Sequence, residues 1–88
     1  MKTLYKITTT TCGTCKMVQP HWDKVKADPA FRDIKFEEVV ADTSPEAMEK
    51  ALQFKVVHLP TFILEKDGKE VKHHIGFASE KQLRDLIS

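Results

Sequence analysis

The sequence predicts an α/β fold in which three helices flank a four-stranded mixed sheet with the strand order 2-1-3-4 and one parallel pair. Two observations support this prediction. The elements follow the order βαβαββα along 88 residues, a length that suits one domain over residues 1–88. A helical run also separates the first two strand-like runs, and such a unit places its strands parallel.

The first half of the chain supplies the parallel unit. Residues 2–8 are rich in β-branched and aromatic side chains, which favours a strand. A helix should follow, because apolar side chains recur at helical spacing until Asp28-Pro29 interrupts the pattern. These side chains are Cys15, Val18, Trp22 and Val25. Residues 34–41 predict a second strand, whose apolar end suggests burial on both faces.

A second helix is predicted to begin at Ser44-Pro45. Serine caps the amino terminus of a helix, and proline suits its first position. We expect this helix to bury an apolar face made of Met48, Ala51 and Leu52.

A hairpin and a short helix complete the chain. Asp67-Gly68 is a strong tight-turn signal, and it joins a strand over 61–65 to an antiparallel strand over 69–75. Ser79 with Gln82 three residues later forms a capping box for the last helix. The side chains that this helix should turn toward the sheet are Leu83, Leu86 and Ile87.

The composition excludes several classes of partner. Hydrophobic residues are 41% and charged residues 31%, which is ordinary for a globular domain. A net charge of +1 gives no reason to expect nucleic acid or an anionic membrane as a partner. No apolar run approaches the roughly 20 residues of a membrane span. Lysines interrupt residues 1–7, so no apolar signal region is evident and we expect a cytoplasmic protein.

The chemistry of the sequence is concentrated in its only two cysteines, Cys12 and Cys15, at the junction between the first strand and the first helix. The positive end of a helix favours a thiolate, so the pKa of Cys12 should fall below the free value of about 8.5. We expect Cys12 to be the exposed thiolate that attacks a substrate disulfide. Cys15, more buried on the same helix face, would then attack the mixed disulfide and release the substrate.

The residues between the cysteines suit this exchange. Gly13 allows the two sulfurs, and another chain, to approach closely. Thr14 could donate a hydrogen bond from its hydroxyl to a sulfur.

A zinc site is the main alternative for this pair of cysteines, because zinc needs only two further ligands. Four histidines are available, but no second Cys-x-x-Cys pair or His-x3–5-His pair is present. They are His21, His58, His73 and His74. We favour the redox interpretation and expect no metal. A partner-binding role that does not need the thiols stays open.

Several segments in the same order resemble one known family. The segment Cys12-Gly13-Thr14-Cys15-Lys16-Met17-Val18-x-Pro20 resembles the Cys-Gly-Pro-Cys-Lys-Met-x-x-Pro block of thioredoxins. The later cis-proline, hairpin and glycine segments of that family resemble Leu59-Pro60-Thr61-Phe62, Asp67-Gly68 and Ile75-Gly76. On these motifs the chain is identified as a member of the thioredoxin superfamily. The N-terminal strand and helix of a full thioredoxin have no counterpart here, so we expect a minimal version of the fold.

The resemblance implies a set of site residues. Cys12 and Cys15 would form a redox-active disulfide with no bound cofactor. The supporting residues would be Thr11, Gly13, Thr14, Lys16, Lys6 and Pro60. Pro60 would follow a cis peptide bond and pack beside the dithiol, and the backbone of Leu59 would pair with a docked substrate segment. Gly76 would leave room for that segment.

The sequence departs from the family at several of these positions. Thr11 replaces the tryptophan that precedes the first cysteine of thioredoxins, and Thr14 replaces the proline of the dithiol loop. Residues in that loop change the reduction potential, and about 30 mV is a tenfold change in equilibrium. Glutathione-binding motifs of glutaredoxins are also absent, since their positions hold His58-Leu59 and Gly76-Phe77.

Another departure reverses a charge. Thioredoxins carry a buried aspartate six residues before the first cysteine, and the position here is Lys6. The lysine on the next strand that accompanies this aspartate is replaced by Glu37 or Glu38. Either Lys6 pairs with one of these glutamates and favours a thiolate at Cys15, or it extends to solvent and no pair forms.

Together these observations predict a thiol–disulfide oxidoreductase that reduces disulfides in protein partners. Its electrons would come from an upstream reductase similar to thioredoxin reductase, and we expect a monomer. One alternative is a glutaredoxin-type reductant that uses glutathione. Another is a non-catalytic binding subunit that uses the thioredoxin surface.

Overall fold

A four-stranded sheet forms the centre of the computed structural model, which describes all 88 residues. The elements in chain order are β1 (Lys2–Thr8), α1 (Gly13–Lys26), a 3-10 turn (Pro29–Phe31), β2 (Ile34–Val40), α2 (Pro45–Gln53), β3 (Thr61–Lys66), β4 (Lys69–Ile75) and α3 (Glu80–Ile87). The strand order is β2-β1-β3-β4. Only β1 and β2 are parallel. The predicted fold class, strand order and parallel pair are therefore confirmed.

Both faces of the sheet are covered, but unequally. Helices α1 and α3 share one face, where they enclose the larger core cluster with the sheet. That cluster contains Leu4, Val18, Trp22, Val25, Phe62, Leu64, Ala78, Leu83 and Ile87. Helix α2 alone covers the other face, where Ala51 packs on Tyr5, Ile7, Val39 and Ile63. Because both faces are covered, every residue of β1 from Leu4 to Thr8 is buried.

Local sequence chemistry sets the turns and helix ends as predicted. The hydroxyl of Ser44 accepts from the backbone N–H of Ala47 at the start of α2. Ser79 and Gln82 form both hydrogen bonds of the capping box before α3. The hairpin turn places Asp67 and Gly68 at positive φ, the geometry that makes this pair a tight-turn signal.

The predicted buried face of α2 is wrong in two of its three residues. Ala51 is buried, but Met48 and Leu52 are exposed. The helix instead faces the sheet through Ala51 and Ala47, four residues apart. These small side chains form the contact face, so the larger ones on its flanks remain in solvent.

The helices are short. None of them has the length and apolar character needed to cross a membrane.

Candidate active site

The two cysteines lie where β1 leads into α1, joined by a disulfide bond with their Cα atoms 5.3 Å apart. Cys12 is the N-cap residue of α1, and its Sγ accepts a hydrogen bond of 3.1 Å from the backbone N–H of Cys15. Helix α1 begins at Gly13, so the second cysteine lies in its first turn. The sequence therefore places both sulfurs at the positive end of a helix.

The two cysteines differ in exposure. Cys15 is 6% exposed, whereas Cys12 is half-buried. The first turn of α1 contains no acidic residue, so no side chain of that turn opposes the partial positive charge of the helix end. After reduction, this end and the N–H of Cys15 both favour a thiolate at Cys12.

An aspartate from the next strand end holds the loop before the dithiol. The carboxylate of Asp42 accepts from the backbone N–H and from the hydroxyl of Thr10. These hydrogen bonds lower the pKa of Asp42. The N–H of Ala41 also donates to the carbonyl of Thr8 at 2.8 Å. Asp42 was missed by the sequence reasoning, although parallel β1 and β2 necessarily end at the same edge of the sheet.

The segment before β3 lies at the same end of the sheet as the dithiol loop. Its Leu59–Pro60 peptide bond is cis, as the family resemblance implied. The carbonyl of Pro60 accepts a 2.7 Å hydrogen bond from the N–H of Gly76, and the hydroxyl of Thr61 donates to the carbonyl of His58. The backbone of Leu59 makes no hydrogen bond within the chain.

The sheet register brings these parts together. Thr61, the first residue of β3, pairs with Ile7 near the end of β1 and with Ile75 at the end of β4. The dithiol loop, the Pro60 segment and Gly76 therefore leave the sheet at one edge. Gly76 has a φ of +92°, and a methyl group added there would meet no atom within 4 Å.

A polar groove of about 450 Å³ borders the disulfide on the side of β2. Its lining includes both cysteines, three threonines, Val40 and four longer polar side chains. The longer side chains are Lys6, Lys16, Gln19 and Glu38. The groove therefore offers charged and hydrogen-bonding groups next to the sulfurs.

The structure decides between the two interpretations of Lys6. Its side chain is 3% exposed, and its Nζ lies 2.7 Å from Oε1 of Glu38. The Nζ also donates to Oε1 of Gln19 and lies 5.1 Å from the ring centre of Trp22. The solvent-directed alternative is therefore wrong. Glu38 is the partner because it lies opposite Lys6 in the β1–β2 register, whereas Glu37 approaches Lys35 instead.

The remaining predicted site residues lie around the dithiol on the surface. Thr11, Gly13, Thr14 and Lys16 are all exposed. The hydroxyl of Thr14 makes no hydrogen bond, so its predicted bond to a sulfur is not formed in the disulfide state. Gln19 was not predicted, and the signal that could have found it is its spacing of four residues from Cys15 on one helix face.

The histidines considered as zinc ligands do not converge on the cysteines. No group of three or more His, Cys, Asp or Glu side chains in the molecule has a geometry that could hold a metal ion. His21 accepts from the N–H of Glu80, and His74 contacts the carbonyl of Phe77. His73 lies 3.6 Å from Glu70.

Comparison with known proteins agrees with this geometry. Residues 1–88 match the family model described as Thioredoxin. The chain belongs to the thioredoxin family. Thioredoxins are thiol–disulfide oxidoreductases, and Cys12 and Cys15 form here the disulfide-bonded pair of that family.

Two thioredoxins illustrate the similarity. The chain is 40% identical over 80 residues to mitochondrial thioredoxin-3 of Saccharomyces cerevisiae, covering 88% of this chain and 59% of the yeast protein. It is 42% identical over 82 residues to thioredoxin of Mycobacterium tuberculosis, covering 89% of this chain and 67% of that protein. The chain thus spans about three fifths to two thirds of the length of these relatives.

Solved structures share the fold. The oxidized form of the yeast mitochondrial thioredoxin 3 superposes with a TM-score of 0.82 at 31% identity, covering 98% of this chain and 76% of that chain. A structure on the thiol resolving mechanism in yeast mitochondrial 1-Cys peroxiredoxin via glutathione/thioredoxin systems gives a TM-score of 0.81, also at 31% identity. It covers 98% of this chain and 76% of that chain.

Proposed function

We propose that this thioredoxin-family protein reduces disulfide bonds in protein partners by dithiol exchange through Cys12 and Cys15. One observation carries the proposal: the two cysteines are joined at the start of α1, with Cys12 accessible and Cys15 buried. A disulfide that closes so short a loop is a poor structural staple, because loop-closure entropy grows with loop length. A reversible redox role explains the pair better.

The exchange follows from the difference in exposure. In the reduced protein, the Cys12 thiolate attacks one sulfur of the substrate disulfide, and the first substrate thiolate leaves and takes up a proton from solvent. Cys15 then loses its proton to solvent and attacks Sγ of Cys12. The Cys12–Cys15 bond forms, the mixed disulfide breaks, and the second substrate thiolate leaves and is protonated. Two electrons and two protons thus pass to the substrate.

An extended substrate segment has a suitable docking place at the same sheet edge. The N–H and C=O of Leu59 are free to pair with such a segment, as a short strand addition. Gly76 leaves open space beside it. Met17, Val57 and Phe77 are exposed apolar side chains on the adjoining segments, and they can contact the partner's side chains.

The partners and compartment belong to the same proposal. The peroxiredoxin system named for the yeast neighbour supports protein substrates rather than small disulfides alone. Electrons would come from a reductase of the thioredoxin-reductase type, and the protein would act as a monomer. We propose the cytoplasm as its compartment, because the chain places both of its cysteines in an exchange pair, as is usual where thiols are kept reduced.

Insulin reduction tests the activity. With thioredoxin reductase and NADPH as electron source, the wild-type protein should precipitate reduced insulin chains, and the Cys12→Ser variant should not. The Cys15→Ser variant should accumulate a mixed disulfide that mass spectrometry identifies. Wild-type protein that is folded and fully reduced but leaves insulin intact would overturn the proposal.

The same assay separates the alternatives. Turnover with glutathione and glutathione reductase, but not with thioredoxin reductase, would assign a glutaredoxin-type activity. Full biological activity of the Cys12→Ser protein would assign a non-catalytic binding role.

A further inference from the structure

A buried lysine faces the dithiol across the polar groove. Lys6 points from the middle of β1 into the groove that both cysteines line. Only 3% of its side chain is exposed, which is unusual for lysine because burying an ammonium group is costly. Specific contacts of the ammonium group compensate this cost.

Three groups hold the ammonium in place. Oε1 of Glu38 lies 2.7 Å from Nζ, Oε1 of Gln19 accepts a hydrogen bond from it, and the ring of Trp22 lies beneath it at 5.1 Å. Gln19 is itself fixed by a 2.9 Å hydrogen bond from its Nε2 to Asp23. Gln19 lies one helical turn after Cys15, so this network is anchored on the helix that carries the sulfurs.

The positive and negative charges of the pair lie at different depths. The side chain of Glu38 is 39% exposed, so water screens its charge, whereas the ammonium of Lys6 is enclosed. A charge in a low-dielectric surrounding acts more strongly on its neighbours than a solvated one. The less screened charge of the pair is therefore the positive one, and it lies in the groove that the buried sulfur also lines.

The other charged groups around the groove do not reverse this sign. From α1, Lys16 adds a second positive charge, although its side chain is exposed. Asp23 on the same helix is exposed and lies behind Gln19. From β2, Glu38 is the only ionisable side chain that lines the groove.

We propose that Lys6, held by Glu38 and Gln19, is a positioning residue that places positive charge beside Cys15 and so favours the thiolate that breaks the mixed disulfide. The inference rests on the proposed dithiol exchange and concerns its second step. When Cys12 is bound to substrate, Cys15 must lose its proton to solvent before it attacks Sγ of Cys12. Lys6 stabilises the thiolate left behind, and the leaving substrate thiolate takes up a proton from solvent.

A chromogenic disulfide isolates this step. When reduced protein reacts with dithiobis(nitrobenzoate) in a stopped-flow instrument, attack by Cys12 releases one coloured thiolate. Attack by Cys15 on the resulting mixed disulfide releases a second one. Cys12 is blocked during the second phase, so the pH profile of that phase reports the titration of Cys15.

Two variants should move this profile in opposite directions. Lys6→Met removes the enclosed positive charge and should raise the pKa of the Cys15 thiol by about one unit. Glu38→Gln removes the screened negative charge and should lower it by a smaller amount. Lys24→Met removes a lysine exposed on the far turns of α1 and should leave the profile unchanged. Lys6→Arg, which keeps the charge, should stay close to wild type.

The rate should change in a characteristic way. In the pH range where Cys15 is mostly protonated, a pKa higher by one unit lowers the thiolate fraction about tenfold, while the more basic thiolate is about threefold more nucleophilic. Second-phase release by Lys6→Met should thus be about threefold slower near neutral pH. At alkaline pH, where the thiol is fully ionised, the same variant should be faster than wild type.

A merely structural role for the pair predicts different results. In that case both variants would lower the unfolding midpoint and slow the second phase in the same direction, and this result would overturn the proposal. An unchanged pH profile in Lys6→Met would also overturn it. If Lys6→Met does not fold, the direction in which Glu38→Gln shifts the pH profile of the second phase decides the question: a shift to lower pH supports the proposal, and a shift to higher pH overturns it. Wild-type protein that releases only the first thiolate would instead refute the proposed exchange itself.

Discussion

Gly76 shows how a single residue can shape the end of the sheet where we propose that the substrate docks. Its φ of +92° lies in a region that side chains with a Cβ rarely adopt. Its N–H donates to the carbonyl of Pro60 at 2.7 Å, which ties the end of β4 to the segment before β3. The absence of a side chain also leaves the space above this hydrogen bond open. The backbone conformation and the open space at this end of the sheet therefore depend on the same position.

Gly76→Ala should lose both stability and substrate affinity. The positive φ should cost about 1 kcal/mol of unfolding free energy, measured by urea denaturation. The added methyl group should also raise KM for insulin several-fold. Gly68→Ala is the matched control, because Gly68 has a φ of +84° in the hairpin turn and open space around it. It should lose similar stability without a change in KM, and a similar KM effect in both variants would contradict the docking role.

At the scale of elements, hydrogen bonds join the loop before the dithiol to the residues that follow β2. The carboxylate of Asp42 accepts hydrogen bonds from the backbone N–H and from the hydroxyl of Thr10, and these bonds lower the pKa of the carboxyl group. A carboxylate with a lowered pKa in the folded state stabilises that state at any pH above its unfolded pKa. The stabilisation is lost as the pH falls through the lowered pKa of the folded state.

Asp42→Asn should therefore change how the free energy of unfolding depends on pH in the acid range. Above about pH 5 the variant should be less stable than wild type by a constant amount, because Asp42 is ionised in both states. Below about pH 4 the difference should shrink, because the unfolded state takes up a proton there that the folded state binds only at lower pH. Thermal unfolding between acid and neutral pH measures this difference. The pKa values of Asp28 and Asp67 are also lowered, but both residues are present in wild type and variant. Their contributions to the pH dependence therefore cancel when the two proteins are compared.

At the scale of the whole molecule, the two faces of the sheet differ in cover. Helices α1 and α3 pack together on one face, where Arg84 of α3 also pairs with Asp28, which lies between α1 and the 3-10 turn. Helix α2 covers the other face alone, and Val71 and Ile75 of β4 are exposed. The hydrophobic stabilisation of the fold is thus concentrated on the face that carries α1 and the dithiol.

Two leucine substitutions test this difference in hydrophobic stabilisation between the two faces. Leu83 of α3 is 0% exposed, whereas Leu52 of α2 is 68% exposed. Leu83→Ala should cost about 2–5 kcal/mol of unfolding free energy, through lost burial and a cavity. Leu52→Ala should stay within about 0.5 kcal/mol of wild type. Equal losses in urea denaturation would show that α2 buries Leu52 in solution.

The features that the sequence predicted correctly depend on local chemistry. The turn at Asp67-Gly68, the caps at Ser44 and Ser79 and the alternation of elements all act within a few residues. These signals were sufficient for the element order, and the handedness of a βαβ unit then left few topologies. Recognition of the cysteine pair needed only its spacing and its place at a helix start.

The features that were missed depend on register and on facing surfaces. A shift of one residue between β1 and β2 would exchange Glu38 for Glu37 beside Lys6, and the sequence carries no local mark of that register. The contact between Thr10 and Asp42 joins residues 32 positions apart for the same reason. The burial of Met48 and Leu52 was predicted wrongly. Helical spacing identifies the apolar stripe of a helix, but it does not show how much of that stripe the sheet covers.

The single tryptophan gives the protein a built-in optical reporter. Trp22 is fully buried against Phe36 and Phe62, and its ring carries the ammonium of Lys6 on one face. No other indole contributes to the emission, so its wavelength reflects this one environment. Its Nε1–H has no hydrogen-bond partner. Because the chain has one indole, the NMR resonance of this group is a second label for the same position. Fluorescence of the unmodified protein can therefore report on the surroundings of Lys6 while the sulfurs are oxidised and reduced.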